Sequence, residues 1–548
     1  MSATDTGTTA PPGHVKVTID GQEVVVPKGT TILQAAQKIG IEVPHYCYHP
    51  ALSSPAQCRL CLVEVVGAPK LAPSCVTAAQ DGQVVQTASE KAKAMREGVL
   101  EFYLANHPLD CPICDQSGEC KLQDYVFAEG RKHGRAREPK RVFGRDDFGA
   151  DILFYGDRCV MCTRCVRFME EVAGDPLLTV VERGNRSVID TFFEEGLQGS
   201  PYAGNIVDVC PVGALVSKDF LHKARAWDLE HIPSVCPNCS QGCNIELHVR
   251  DGLVQRLRPR LNPEVNGHWM CDYGRYRYEG LNRRDRIEAP LVGRAPARRA
   301  SGWSEALDAA AARLREGAPR GGQARVLAVA SAEAPNEDLA ALRSLVDTLG
   351  GGDIVFRSPR AEEEIPLPGM LTLARRRDLA PNVHGAELLG MRRVGGEDGT
   401  GGLDEHVRRA DVLIVLGDEL PDFGEEFGRE RAVYLYLGSY ETPGAAAADV
   451  VLPVSTFAER EGTFTNFEGR MQRFWPGLDA PGASRPAWRA LFALRAALAG
   501  DEAPGTVEEA FHHLTRLVPA LEGMTLDGLG TEGARARTEV AAATRAGD

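Results

Sequence analysis

The chain is 548 residues long and acidic, with 62 Lys and Arg against 76 Asp and Glu and a net charge of −14. That balance argues against nucleic acid as a main partner, because phosphate binding depends on basic surface. A hydrophobic content of 43% suits a soluble globular protein, and the length allows roughly three to five domains of ordinary size.

No apolar stretch reaches the roughly 18 residues of a spanning helix. Val412 to Leu416 and the alanine-rich run near Ala445 fall well short. Met1 to Gly13 is polar, without the apolar core or paired arginines of an export signal. A cytoplasmic protein with no direct membrane span is therefore expected. All fifteen cysteines lie between Cys47 and Cys271. In a reducing compartment such crowding points to metal ligands rather than disulfides, and with one histidine the cysteines sort into four sets of four.

In chain order, Val15 to Ile19 and Val24 to Val26 alternate like strands about an Asp20-Gly21 turn, and Thr31 to Ile39 reads as a helix. Cys47, Cys58, Cys61 and Cys75 follow, spaced C-x10-C-x2-C-x13-C. A hairpin, a helix and a cysteine loop resemble the β-grasp fold of plant-type ferredoxins, whose cysteine spacing differs from this one. Four thiolates so placed suit a [2Fe-2S] cluster, with a structural zinc site as the alternative.

Next comes a helical stretch in which Met95, Val99 and Phe102 recur on one side, then His107-x3-Cys111-x2-Cys114-x5-Cys120. Three cysteines leave one iron of a four-iron cluster without a thiolate. If His107 fills that position the cluster is saturated and can only pass electrons; an open iron could instead act as a Lewis acid on substrate. The short spacing and the lack of a spare cysteine favour His107 over Asp110, Asp115 and Glu119. The run from Arg131 to Arg145, seven Lys and Arg against one Glu, reads as a solvated or subunit-facing surface beside negatively charged metal sites.

The third set, Cys159-x2-Cys162-x2-Cys165 with a distant Cys210-Pro211, has the bacterial ferredoxin pattern. It lacks the second triad of a two-cluster ferredoxin, so one [4Fe-4S] cluster is expected. The long gap before Cys210 is no obstacle. Loop closure costs only about 0.6 kcal/mol more per doubling of length, against metal binding on the order of 10 kcal/mol. The fourth set is Cys236-x2-Cys239-x3-Cys243 and then Cys271. It is similar to the N-terminal [4Fe-4S] module of molybdopterin oxidoreductases, including its closing segment Trp269-Met270-Cys271-Asp272-Tyr273-Gly274-Arg275.

Beyond about residue 288, short apolar runs such as Val326 to Ala330 and Val412 to Leu416 alternate with helical stretches such as Asn336 to Leu349. This predicts an α/β layered domain. The region contains no cysteine to offer a molybdenum or tungsten ion. Gly395-Gly396, Gly399 and Gly401-Gly402 do not form a dinucleotide-binding turn and read as loop.

Four sets in this order, with a histidine in the second, resemble the large iron-sulfur subunit of proton-pumping NADH:quinone oxidoreductase, respiratory complex I. The likeness resumes at Ala448 to Phe457, Glu461 to Asn466 and Glu468-Gly469-Arg470. It implies an α+β and α/β multidomain chain: a ferredoxin-like domain at 1–92, a domain with one histidine and three cysteines as ligands at 93–145 and a bacterial-ferredoxin-like domain at 146–230. A molybdopterin-oxidoreductase-type cluster domain at 231–287 would follow, then a reduced α/β domain at 288–548, shortened around Pro359 to Gly402. It implies one [2Fe-2S] and three [4Fe-4S] clusters, no molybdopterin, and Glu461 to Arg470 as a structural relic of a cofactor site. The first three clusters would form a wire and the fourth would lie off it. The implied partners are a flavin-bearing NADH subunit and quinone-side iron-sulfur subunits, on the cytoplasmic face of the membrane. The rival reading is a formate dehydrogenase-like catalytic subunit with a ferredoxin extension.

Overall fold

A computed structural model describes residues 10–191, 194–318, 324–397 and 402–537. The chain divides into two compact units. One runs to Asp228 and includes Leu367–Met370; the other comprises Leu229–Pro366 and the chain from Leu371 onward.

The first unit opens with a five-stranded sheet in the order Gln22–Pro27, His14–Ile19, Val84–Gln86, Leu62–Val65, Ala72–Pro73. The first two strands pair antiparallel about Asp20 and Gly21, with φ of 47° and 82°. Both lie in the left-handed region that a two-residue hairpin matching the strand twist requires. His14–Ile19 also pairs in parallel with Val84–Gln86, and the helix Ile32–Lys38 packs on the sheet. It starts at Thr31, whose hydroxyl accepts from the Gln34 N–H while the Gln34 side chain accepts from the Thr31 N–H, a reciprocal cap of two unpaired donors. Ile32, Leu33, Ala35 and Ala36 are buried with Val15, Val17, Ile19, Val24 and Val26. This is the expected β-grasp arrangement.

The helix Glu90–Asn106 forms as expected, but its apolar stripe faces the other way. Ala92, Arg96 and Leu100 are buried, while Met95 is 43% and Phe102 83% exposed. The cause is Arg96. Its guanidinium donates to the Thr87 carbonyl at 2.7 Å and pairs with Glu129 at the end of the helix Lys121–Glu129, and this inward anchor turns the expected stripe to solvent. The basic run returns along the same helix. Arg131 pairs with Glu97, Arg135 with Glu101, and Lys140 donates to the carbonyls of Leu104 and Ala105, capping the helix end. Part of the run is thus neutralised by the helix beside it.

The second unit begins with an antiparallel sheet of Glu230–Val235, Asn244–Arg250 and Leu253–Pro259. Its main sheet has eight strands. Six are parallel, in the order Val450–Pro453, Val433–Gly438, Val412–Leu416, Val326–Ser331, Asp353–Arg357, Arg392–Arg393. Leu291–Val292 and Arg299–Ala300 extend the first edge antiparallel. Residues alternate between two cores. Val326, Ala328, Val412, Ile414 and Leu435 pack with the helices Trp303–Gly317, Asn336–Thr348, Ala487–Ala499 and Val507–Leu517. Leu327, Val329, Leu413, Val415 and Tyr434 pack on the opposite face. A parallel sheet covered on both faces explains why these strands read as unbroken apolar runs.

Gly395, Gly396 and Gly402 lie outside regular structure, as expected of a loop, whereas Gly399 and Gly401 fall outside the described residues. The segment around 359–402 keeps a hairpin, Ile365–Leu367 with Met370–Arg375, and a helix, Val383–Leu388. Among the described residues no helix is long and apolar enough to cross a membrane.

Ile414 is fully buried in a central strand. Ile414→Ala should lower the stability of the second unit by about 2–5 kcal/mol, measured by denaturant unfolding followed through Trp488 fluorescence. A loss below about 1 kcal/mol would contradict this packing.

Candidate iron-sulfur sites

The first set comes together where the sheet meets its loops. Cys47, Cys58, Cys61 and Cys75 are buried, and the thiols of Cys58 and Cys75 lie within hydrogen-bond reach of Cys47, as Cys75 does of Cys61. The loop reaches this shape through Ala56 and Arg59, both left-handed with φ of 54° and 57°, a conformation that costs non-glycine residues energy and gathers at functional sites. Hydrogen bonds from its neighbours pull Cys47 down, while the same bonds push Cys58 and Cys75 up. A bond from Cys75 likewise draws Cys61 down to about 7. Four thiolates could coexist here only around a cation.

In the second set His107 caps the C-terminal end of the helix Glu90–Asn106, Cys111 opens a short 3-10 turn and Cys120 precedes the helix Lys121–Glu129. Cys111 is exposed; Cys114 and Cys120 are buried. Burial pushes the His107 imidazole down to about 4, and Arg158 and Lys140 push the same way. It is therefore neutral at pH 7, the form that can bind a metal. Arg158 also stands beside Cys114. Two rival ligands are engaged elsewhere. The Asp110 carboxylate pairs with Arg158 at 2.9 Å, and Asp115 accepts from the His222 N–H at 3.1 Å.

The third set lines one cavity, formed by Cys159, Cys162, Cys165 and Cys210 with apolar walls that include Phe154 and Ile189. Met161 and Thr163, at φ of 50° and 58°, turn the triad inward. Cys165 lies in the helix Arg164–Arg167, and Cys210 follows the helix Asn205–Val209. Burial raises all four thiols, Cys162 to about 11. The fourth set occupies the turn between Glu230–Val235 and Asn244–Arg250, closed by Cys271, whose sulfur accepts from the Gly274 N–H at 3.4 Å. All four of its cysteines are buried, and burial pushes Cys236 up to about 12.

The donor sets suit iron-sulfur clusters. All fifteen cysteines are free thiols, and the backbone gives way around them. A Cβ on Gly213 would lie 2.2 Å from the Cys114 sulfur, and one on Gly274 would lie 3.0 Å from that of Cys236.

Sequence reasoning missed the arginines. Arg164 lies inside the Cys159 triad and Arg167 two residues past its end, and cations three apart beside a ligand motif were the available signal. It also missed a cavity of about 510 Å3 in the second unit, lined by Gly417, Tyr436 and Ser455, beyond the carboxyl ends of parallel strands where open α/β sheets take ligands. The Tyr436 and Ser455 hydroxyls are buried there without a protein partner. Arg277 and Arg283 share the lining with Glu279, Glu333 and Glu419, so its charge does not select one ligand class. Thr463 and Thr465, in the suspected relic, are instead bonded to Glu337, Asn336 and Asn382 inside the core. His231, Glu246 and His248 also converge. Arg256 donates to His248 Nδ1 at 3.0 Å, so the other ring nitrogen carries the proton and faces Glu246 at 3.2 Å, an arrangement that opposes metal ligation.

Family models match along the chain in order. They are described as a 2Fe-2S iron-sulfur cluster binding domain (residues 13–90) and the NADH-ubiquinone oxidoreductase-G iron-sulfur binding region (96–135). The ferredoxin-like domain of NADH-quinone oxidoreductase subunit 3 (149–216), the molybdopterin oxidoreductase Fe4S4 domain (229–283) and molybdopterin oxidoreductase (390–497) follow. An NADH-quinone oxidoreductase subunit of Rickettsia bellii is 40% identical over 61% of this chain and 48% of its own length. The NADH dehydrogenase [ubiquinone] iron-sulfur protein 1 of Solanum tuberosum is 41% identical over 63% of this chain and 46% of its own. The chain thus spans about half the length of these two relatives. The NADH-ubiquinone oxidoreductase 78 kDa subunit of Candida albicans is matched further, at 32% identity over 88% of this chain and 82% of that protein. With that coverage, and with iron-sulfur domain models falling on each of the four cysteine groups in turn, the chain belongs to the family of the large iron-sulfur subunit of NADH-quinone oxidoreductases.

Proposed function

We propose that the chain is the electron-relaying iron-sulfur subunit of NADH:quinone oxidoreductase, conducting from a flavin- and NADH-binding subunit toward quinone-side iron-sulfur subunits. It would itself bind neither NADH nor quinone. The observation that carries this reading is the thiol inventory: fifteen cysteines in four groups, none in a disulfide and none left over.

The proposed ligands are Cys47, Cys58, Cys61 and Cys75 for one [2Fe-2S] cluster. Three [4Fe-4S] clusters would be held by His107, Cys111, Cys114 and Cys120; by Cys159, Cys162, Cys165 and Cys210; and by Cys236, Cys239, Cys243 and Cys271. The carriers would be the segments 1–92, 93–145, 146–230 and 231–287, with 288–548 as a domain without molybdopterin. When bound, such clusters take up and release single electrons without forming bonds to substrate.

The chain's own residues fix where those electrons rest. Burial keeps water from most of the ligand atoms, the exposed Cys111 excepted, and His107 offers a neutral imidazole where a fourth thiolate would bring a negative charge. As in Rieske centres, that exchange favours the reduced form. We place the protein at the cytoplasmic face of the membrane, held there through its partner subunits.

Iron analysis of the purified chain should give about fourteen atoms per molecule, the sum for one two-iron and three four-iron clusters, without molybdenum or tungsten. Stoichiometric molybdenum would favour the formate dehydrogenase-like reading instead. Cys162→Ala should abolish NADH-to-quinone transfer in an assembled complex; intact transfer would remove the third set from the route. Gly213→Ala should deplete iron from the second set, because its methyl group would occupy the space of the Cys114 sulfur, whereas Gly134→Ala, with nothing within 4 Å, should keep a full complement.

A further inference from the structure

Between the first and third ligand sets lies a charged group that neither set needs as a ligand. Arg167 is only 8% exposed. Its Nη2 donates to the carbonyl of Cys47 at 2.7 Å and to that of Cys162 at 3.1 Å. Its Nη1 donates to the Ser53 carbonyl, and its Nε reaches the Thr163 hydroxyl at 3.4 Å. One guanidinium thus grips a ligand residue of each set. Cys165 and Arg167 stand two apart on their helix and so do not face each other, which lets the thiol enter one site while the guanidinium leaves toward the next.

Neighbouring contacts join the same two loops. Gln57 donates to the Met161 carbonyl at 2.8 Å, and Arg164 donates to the Tyr48 and Val209 carbonyls. These fasten the loops together, but of these three side chains Arg167 alone bonds a ligand residue of both sets.

Every acceptor of Arg167 is neutral. The acid whose field it feels, Glu171, is engaged by the N–H and hydroxyl of Ser53. A buried guanidinium without a carboxylate is costly. The fields of Cys162, Cys47 and Glu171 favour its charge.

We infer that Arg167 is a positioning residue for electron passage between the first and third sets: it fixes the spacing of their ligand loops and holds a positive charge, bonded only to neutral acceptors, beside both. A fixed cation stabilises the form carrying one more electron, so it raises the reduction potential of each centre. No bond is made or broken and the residue undergoes no redox change. The inference rests on the proposed assignment of clusters to these two sets.

The test is a redox titration of the full, cluster-loaded chain followed by electron paramagnetic resonance, with iron counted in parallel, for Arg167→Met and Arg167→Lys. The expected result is retained iron and a downward shift of both the first and third midpoints in Arg167→Met. The shift should be smaller in Arg167→Lys, which keeps the charge, and the second and fourth midpoints should not move. Unchanged potentials in iron-replete variants would overturn the inference, and so would an equal shift of all four. Loss of iron from the first and third sets in both variants would make Arg167 a structural staple and overturn the charge claim. Absence of either signal from the unmodified chain would refute the cluster assignment itself.

Discussion

Thiolates repel one another, and most of the cysteines grouped here are buried, where the ionised form is disfavoured. Burial raises the third- and fourth-set thiols, and in the first set hydrogen bonds among the thiols lower Cys47 and Cys61 while raising Cys58 and Cys75. Such a site is stable either protonated or filled by a cation, and iron entry must release protons. Much of the local backbone follows from keeping sulfurs close in a dry space. Left-handed residues at Ala56, Arg59, Met161 and Thr163 turn the loops, and glycine at 213 and 274 leaves room for sulfur.

The four cysteine groups stood out in the sequence because iron-sulfur chemistry needs particular residue types at short spacing. The β-grasp hairpin was legible for a similar reason: the Asp20-Gly21 turn and the period-two alternation point to the same register. The orientation of Glu90–Asn106 was not. Periodicity found the helix, but which face turns inward depended on Arg96 reaching Thr87 and Glu129, contacts made with segments outside the helix. Arg167 was hidden for the same reason, since its partners Cys47 and Ser53 lie over a hundred residues away.

The second unit keeps the architecture of a ligand-binding α/β domain while parts of its interior are filled by structure. The strands alternate between two well-covered cores. The segment around Thr463 and Thr465 spends its hydroxyls on Asn336 and Glu337, so its polar residues tie the core together. The cavity at the strand ends retains buried hydroxyls without protein partners, at Tyr436 and Ser455.

Gly213 lies three residues past Cys210 and packs against Cys114, and the Lys121 N–H donates to the Pro211 carbonyl at 3.0 Å. The segment that closes the third set is therefore also a wall of the second. On the ribosome that segment emerges after all the other residues of the two sets, so the third set lacks a ligand and the second a wall until it arrives. The two centres would then mature together, and a truncation before Cys210 would cost the protein both.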